Sequence, residues 1–212
     1  MDEDSHKVWR GQTLHDRSLK RREQLLDVGE ELLGSAGVGA VTMRAVVREA
    51  QLSPRYFYET FSGREDFLVA VYDRVENRLL ERVSGVEMGD DFRTSIHAVC
   101  VVCGDFFEED PRRARILLRE PLSDDILRDH SARRAQMFVE TMLRLLGAES
   151  AMSPRPERIP ALATGLSGAL VALYLGFADG RLDIDREQLA ETAVDIVYAL
   201  ADAARPRDGL PE

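Results

Sequence analysis

The chain has 212 residues, 44% hydrophobic and 31% charged, which excludes bulk disorder and fits one ordinary domain or a small domain fused to a larger one. Its two cysteines, Cys100 and Cys103, exclude a disulfide framework and suit a reducing compartment. The net charge of −10 argues against a nucleic-acid partner only until its distribution is read: residues 1–65 hold 10 Lys and Arg against 11 Asp and Glu, and residues 5–22 hold six basic side chains against Asp16 alone.

The opening MDEDSHKVWR is acidic and polar, unlike a signal or transit peptide, so a cytoplasmic protein is expected. Residues 1–16 read as a flexible tail. Leu25, Leu26, Gly29, Leu32, Leu33 and Ala36 recur at three and four, an apolar stripe on a helix over about 17–36. GSAGVGA (34–40) stops it. Thr42 is a good N-cap for a short helix that turns Met43, Val46, Val47 and Ala50 inward. Gln51-Leu52 breaks the chain, and Ser53 caps a third helix with Pro54 in its first turn, where a missing N–H costs nothing. Phe57 and Phe61 share its inner face. Ser62-Gly63-Arg64-Glu65 reads as a capping box opening a long helix with Phe67, Leu68, Val71, Val75, Leu79 and Val83 on one side.

Further helices are expected over 90–108, 111–120, 124–147, 158–180 and 185–205, the last opened by the cap pair Asp185 and Gln188. No run alternates with period two for long enough to make a sheet. The run 159–178 has no charge and the length of a bilayer span, but Pro160, Thr164, Ser167 and three glycines lower its hydrophobicity and acids follow it closely. A helix buried in a core plus an interface reads the same way, and no membrane partner is expected.

Residues 42–61, two short helices joined by a tight turn and preceded by a longer one, form a helix-turn-helix pattern. With Phe57 and Phe61 inside, the second short helix exposes Arg55, Tyr56, Tyr58, Glu59 and Thr60. Arginine can fork onto guanine, and tyrosine hydroxyls can donate to phosphate.

The run from Arg21 to Leu68 resembles the DNA-binding domain of the tetracycline-repressor (TetR) family. Leu25, Leu33, Gly37, Thr42, Met43, Val46, Ala50, Leu52, Ser53, Phe57, Tyr58, Phe61, Arg64, Glu65 and Leu68 carry the likeness. The resemblance implies an all-α fold: a three-helix helix-turn-helix domain over 17–63, a helical effector-binding and dimerisation domain over 64–205, and a tail over 206–212. It implies a homodimeric transcriptional regulator, a repressor released from a near-palindromic double-stranded operator by a small-molecule effector, with no cofactor and no enzymatic role. The competing reading is a helical enzyme or protein-interaction adaptor that does not bind DNA.

The resemblance also implies roles. Thr42 meets a phosphate and Arg44 a base; Arg55 and Tyr56 read base edges; Tyr58 and Thr60 hold phosphates, and Arg64 reaches the backbone. Ser53 opens the reading helix, and Lys20, Arg21 and Arg22 lie beside the flanking backbone or minor groove. Gln51 stands where the family usually has glycine, Arg55 where a small residue is common, Glu59 for a frequent His, Thr60 for a frequent Tyr and Arg64 for a frequent Lys. An acid at 59 repels phosphate, so that contact is lost or moved.

Phe92, His97, Phe106, Phe107, Met137, Phe138, Met142, Tyr174 and Phe177 are the candidate lining of the ligand cavity. The scarcity of cations on their stripe points to an apolar or uncharged ligand. His97, Cys100 and Cys103, at i, i+3 and i+6, suit core packing first, with a thiol sensor or an incomplete metal site as alternatives, so no metal is assigned. Gly34, Gly37 and Gly39 lack the preceding strand of a phosphate loop and read as a helix C-cap. Gly165-Leu166-Ser167-Gly168 lacks the last glycine of a nucleophile elbow.

Overall fold

The computed structural model describes residues 5–87, 89, 91–147 and 159–204, with side chains described at 16–87, 89, 91, 93–137 and 160–200. Among these residues every regular element is helical. In chain order they are α1 (Ser5–Ala36), α2 (Met43–Glu49), α3 (Pro54–Thr60), α4 (Arg64–Ser84), α5 (Phe92–Glu109), α6 (Pro111–Ala114), α7 (Asp125–Gly147), α8 (Ile159–Ala178) and α9 (Arg186–Ala204).

α1 starts at Ser5, ahead of the start expected near 17, so residues 5–16 continue the helix rather than standing apart as a tail. The expected stripe buries Leu25, Leu26, Gly29 and Leu33. α2, α3 and the first turns of α4 close over it with Val46, Val47, Phe57, Phe61, Phe67 and Leu68. The centroid of the Phe67 ring lies 5.3 Å from that of Phe57 and 4.9 Å from that of Phe61, so three aromatic rings form the centre of the N-terminal bundle. Gly29 is required there: a Cβ would lie 2.5 Å from Phe67 Cζ and 2.6 Å from Val71 Cγ2.

α4 runs on into the C-terminal helices, packing against α5 and α7, while α5, α8 and α9 pack on one another. Its residues Phe67, Leu68, Val71, Tyr72, Val75 and Val83 are buried. Most of the buried side chains from Leu25 to Val194 belong to one connected core. α1 also touches α6 and the turn that follows it, so the two ends of the molecule meet at a second place besides α4.

Local signals explain most of the ends. Thr42 Oγ1 accepts the Ala45 N–H at 3.2 Å and caps α2. Asp185 and Gln188 form the reciprocal box, each side chain accepting the other's backbone N–H, at 3.0 and 2.9 Å. The box expected at Ser62 and Glu65 is corrected. Gly63 is the N-cap of α4, and Asp66 does the reaching back, accepting the Ser62 N–H at 2.8 Å. The helix expected over 111–120 also differs: after α6 the chain widens into a π-helical turn at Arg115–Arg119 and then tightens into a 3-10 turn at Glu120–Leu122. Pro121 has no N–H to return to the preceding turn, so a regular helix cannot run through it.

Candidate nucleic-acid interface and ligand residues

The turn between α2 and α3 sets the angle of the outward helix. Gln51 takes φ +52°, the left-handed region that a glycine would occupy without strain. Gln24, on α1, donates from Nε2 to the Ala50 carbonyl at 2.7 Å and ties this turn to the bundle. Gln24 was not expected from sequence; a polar side chain beside an apolar stripe gives no local sign of such a bond.

Ser53, Arg55 and Tyr58 are exposed on α3. Tyr58 is 59% exposed, with its ring edge against buried Phe57. Arg55 Nε donates to Glu59 Oε1 at 2.6 Å, so the acid and the arginine of this face are partners. Tyr56 is half-buried beneath Arg21, whose guanidinium carbon sits 4.1 Å from its ring centroid. That stacking joins the basic turn of α1 to α3. Lys20 is exposed nearby in sequence, and Arg22 lies over Phe61 at 5.5 Å while pairing with Glu23 at 3.7 Å. Arg44 is exposed on α2. Thr60 donates its hydroxyl to the Tyr56 carbonyl at 2.9 Å.

Arg64 is turned the other way. Its Nε donates to the Val41 carbonyl and its Nη2 to the Val38 carbonyl, both at 2.7 Å. The same loop is held from the C-terminal side. Glu120, 5% exposed, accepts the Val38 N–H at 2.7 Å and Arg115 Nε at 2.9 Å. Gly37, at φ +83°, makes room: a Cβ there would lie 2.8 Å from Arg115 Nη2. Sequence reading missed Glu120, because the loop residue it holds, Val38, lies 82 residues away.

Of the nine expected ligand residues, Phe92, Phe138 and Met142 lie outside the described side chains. Phe106, Phe107 and Tyr174 come together as a packed aromatic set, Phe107 5.6 Å from Phe106 and 5.7 Å from Tyr174. Two guanidinium groups lie over the Phe106 ring, Arg113 at 4.4 Å and Arg82 at 5.2 Å from its centroid. Tyr174 donates its hydroxyl to the Cys100 carbonyl at 2.9 Å, and Phe177 packs half-buried on this core. His97 sits apart, 3.3 Å from Glu187 Oε1, and Met137 is 52% exposed. Two surface clefts lie elsewhere. One of about 570 Å³ runs between α1 and α4 over Leu26, Val69 and Ala70. The other, about 340 Å³, is bordered by Gly34, Arg112, Arg115, Arg119 and Leu175.

Burial pushes the Cys100 thiol up to about 11, and burial with the neighbouring Cys100 pushes the Cys103 thiol up to about 12. Both are therefore protonated at neutral pH, and the thiolate is the reactive form. Native protein at pH 8 is expected to react with a disulfide reagent at well under a tenth of the rate of the urea-unfolded chain; equal rates would contradict the burial. Among the described residues, no group of three or more His, Cys, Asp or Glu side chains is placed to hold a metal ion.

Residues 25–71 match the model of the family described as bacterial regulatory proteins, tetR family. The whole fold resembles solved structures of low sequence identity. A protein assigned to the tetR family of transcription regulators from Shewanella sp. PV-4 is 16% identical, with a TM-score of 0.67, over 88% of this chain and 99% of its own. A TetR-like transcriptional regulator from Rhodococcus sp. RHA1 is 18% identical, with a TM-score of 0.62, over 84% of this chain and 93% of its own. The multidrug binding protein EbrR, solved with imidazole, is 19% identical, with a TM-score of 0.60, over 83% of this chain and 94% of its own.

Proposed function

We propose that the chain is a DNA-binding transcription regulator of the tetR family, as its match over residues 25–71 and its fold support, and that it acts in the cytoplasm as a homodimeric repressor, without enzymatic activity, released from a near-palindromic operator by a small, largely apolar ligand. Residues 17–63 serve as the reading head and 64–205 as the effector-binding and dimerisation body. The observation that carries the reading is the outward face of α3. Arg55 and Tyr58 are exposed on it, and Tyr56 is stacked under the basic turn of α1. A purely solvated helix has no use for that surface, whereas bases and phosphates do.

In this reading Arg55 and Tyr56 address base edges, and Arg44 and Thr42 work from α2. Ser53, Tyr58, Thr60, Lys20, Arg21 and Arg22 serve the backbone. Arg64 supports the loop before α2 instead of reaching a phosphate. Replacing Arg55 with alanine is expected to weaken the preferred site by about 1–3 kcal/mol and to relax one base position. Equal binding by the variant and the parent at matched salt would remove α3 from the role. A gel shift against the DNA flanking the chain's own gene tests the function as a whole; no shift at low salt overturns it.

The dimer is supported by α8. Pro160–Ala178 is long and apolar enough to cross a membrane, and only 28% of that window is buried. Ala161, Gly165, Gly168 and Ala172 are exposed along one line, and a Cβ at Gly165 or Gly168 would meet nothing within 4 Å. Small residues at such spacing let a second helix approach closely, and two helices per subunit suffice for a four-helix interface. The two reading helices would then stand about 34 Å apart, one DNA turn. Light scattering is expected to give twice the 23.8 kDa chain mass at micromolar concentration; a monomer there would sink the arrangement.

The reading puts the ligand at the aromatic set of α5 and α8, Phe106, Phe107, Tyr174 and Phe177, with Phe92, His97, Met137, Phe138 and Met142 as further candidate contacts. Binding requires that set to open, so the ligand selects a body conformation other than the packed one, and operator DNA weakens it in return.

A further inference from the structure

The centre of the outward face of α3 is a charge pair. Phe57 and Phe61 are 1% and 3% exposed and fix the roll of the helix. Arg55 lies two residues before Phe57, and Glu59 lies two residues from each phenylalanine. At about 100° per residue both therefore sit nearly opposite the buried line. Tyr56 and Tyr58 are one residue from Phe57 and fall on its flanks. The side chains of Arg55 and Glu59 are 83% and 47% exposed.

The bond between them uses one atom of each group. Arg55 Nε meets Glu59 Oε1 at 2.6 Å. Among the described residues, the two Nη nitrogens of Arg55 and Oε2 of Glu59 have no partner. A guanidinium can therefore keep its Nε on the acid and still fork both Nη groups onto guanine O6 and N7. The carboxylate can accept from the exocyclic N4 amine of cytosine. Residues four apart on a helix are separated by about 6 Å along its axis, which spans one to two stacked base pairs at 3.4 Å each.

We propose that Arg55 and Glu59 read DNA as one unit, Arg55 taking a guanine and Glu59 a cytosine within two base pairs of it. This rests on the DNA-binding reading above and goes beyond it, because Glu59 becomes a specificity residue rather than a lost phosphate contact. The physical role of the acid is rejection. Thymine O4 and guanine O6 and N7 are acceptors, so the carboxylate repels a thymine or guanine edge. It also repels phosphate, which lowers affinity for DNA of unrelated sequence. Pairing with Glu59 holds the Arg55 guanidinium in one orientation before it meets the groove.

The test is selection of duplexes from a random pool by the full chain, E59A, E59Q and R55A at one salt concentration, followed by titration of selected and scrambled duplexes. The parent is expected to enrich a guanine with a cytosine within two base pairs. E59A should lose about tenfold or more of the preference for that cytosine, keep the guanine, and bind scrambled DNA several-fold more tightly. E59Q should shift the cytosine position towards adenine, which an amide reads in two-pronged fashion. R55A should lose the guanine. Thermal melting of each variant checks that the fold is intact, and at these exposed positions it should be. If E59A and E59Q select the parent's site with unchanged preference while R55A alters it, the paired reading is overturned and DNA binding stands. If the parent enriches no sequence and binds no duplex, DNA binding itself falls, and this proposal with it.

Discussion

Replacing Phe67 with alanine is expected to remove about 3–5 kcal/mol of stability, the cost of an emptied aromatic site in a close-packed core. The ring is 1% exposed, meets Phe57 and Phe61, and fills the notch that Gly29 leaves in α1. Urea titration with a full-length control measures the loss; a change below about 1 kcal/mol would contradict the packing. The notch makes a sharper test. Gly29→Ala alone should be destabilising, by about 1–3 kcal/mol, because its methyl meets Phe67 Cζ. In the Phe67→Ala background the same methyl enters vacated space and should be neutral or stabilising. Additive effects in the double variant would show that the two residues do not share that volume.

Replacing Glu120 with alanine is expected to cost about 2–4 kcal/mol, since it strips a buried N–H and a guanidinium of their acceptor together. The lower half of that range is favoured because the Arg115 side chain is 35% exposed and water can reach it. Glu120→Gln keeps one acceptor oxygen for the Val38 N–H and should cost roughly half as much. Amide hydrogen exchange at Val38 separates this from general unfolding. In Glu120→Ala that amide should exchange markedly faster while amides at Leu189–Val194 keep their protection. Unchanged exchange at Val38 would mean that the carboxylate does not hold the loop. Arg64→Ala attacks the same loop from α4 and should be epistatic with Glu120→Ala rather than additive, because both grip the backbone of Val38.

The parts of this molecule that the sequence announces are those whose causes lie within a turn or two of the chain. Thr42 and the Asp185–Gln188 pair satisfy donors three residues away, and the structure has both bonds. Phe57 and Phe61 follow from helical spacing alone. Errors enter where two local solutions compete. Ser62 and Gly63 can each begin α4, and Asp66 decides for Gly63 by returning to the Ser62 N–H. Pairing across the fold is invisible in advance. Nothing near Arg64 indicates that its guanidinium points at carbonyls of residues 38 and 41, and nothing near Glu120 indicates Val38. The aromatic residues of α5 and α8 show a different limit. Phe106, Phe107 and Tyr174 are apolar, large and helically spaced, and those properties serve a packed core and a ligand cavity equally well.

Val38 is gripped on both sides by groups from different elements, its N–H by Glu120 and its C=O by Arg64. Each bond is 2.7 Å long, and such bonds weaken steeply once stretched by roughly half an ångström beyond 2.7–3.2 Å. The joint therefore behaves as a mechanical fuse. It passes small loads rigidly between the body and the loop that leads to α2. A slide of the Glu120 turn against α4 that exceeds this slack breaks the weaker of the two bonds. The joint then yields in a single step, and Val38 stays with whichever grip survives.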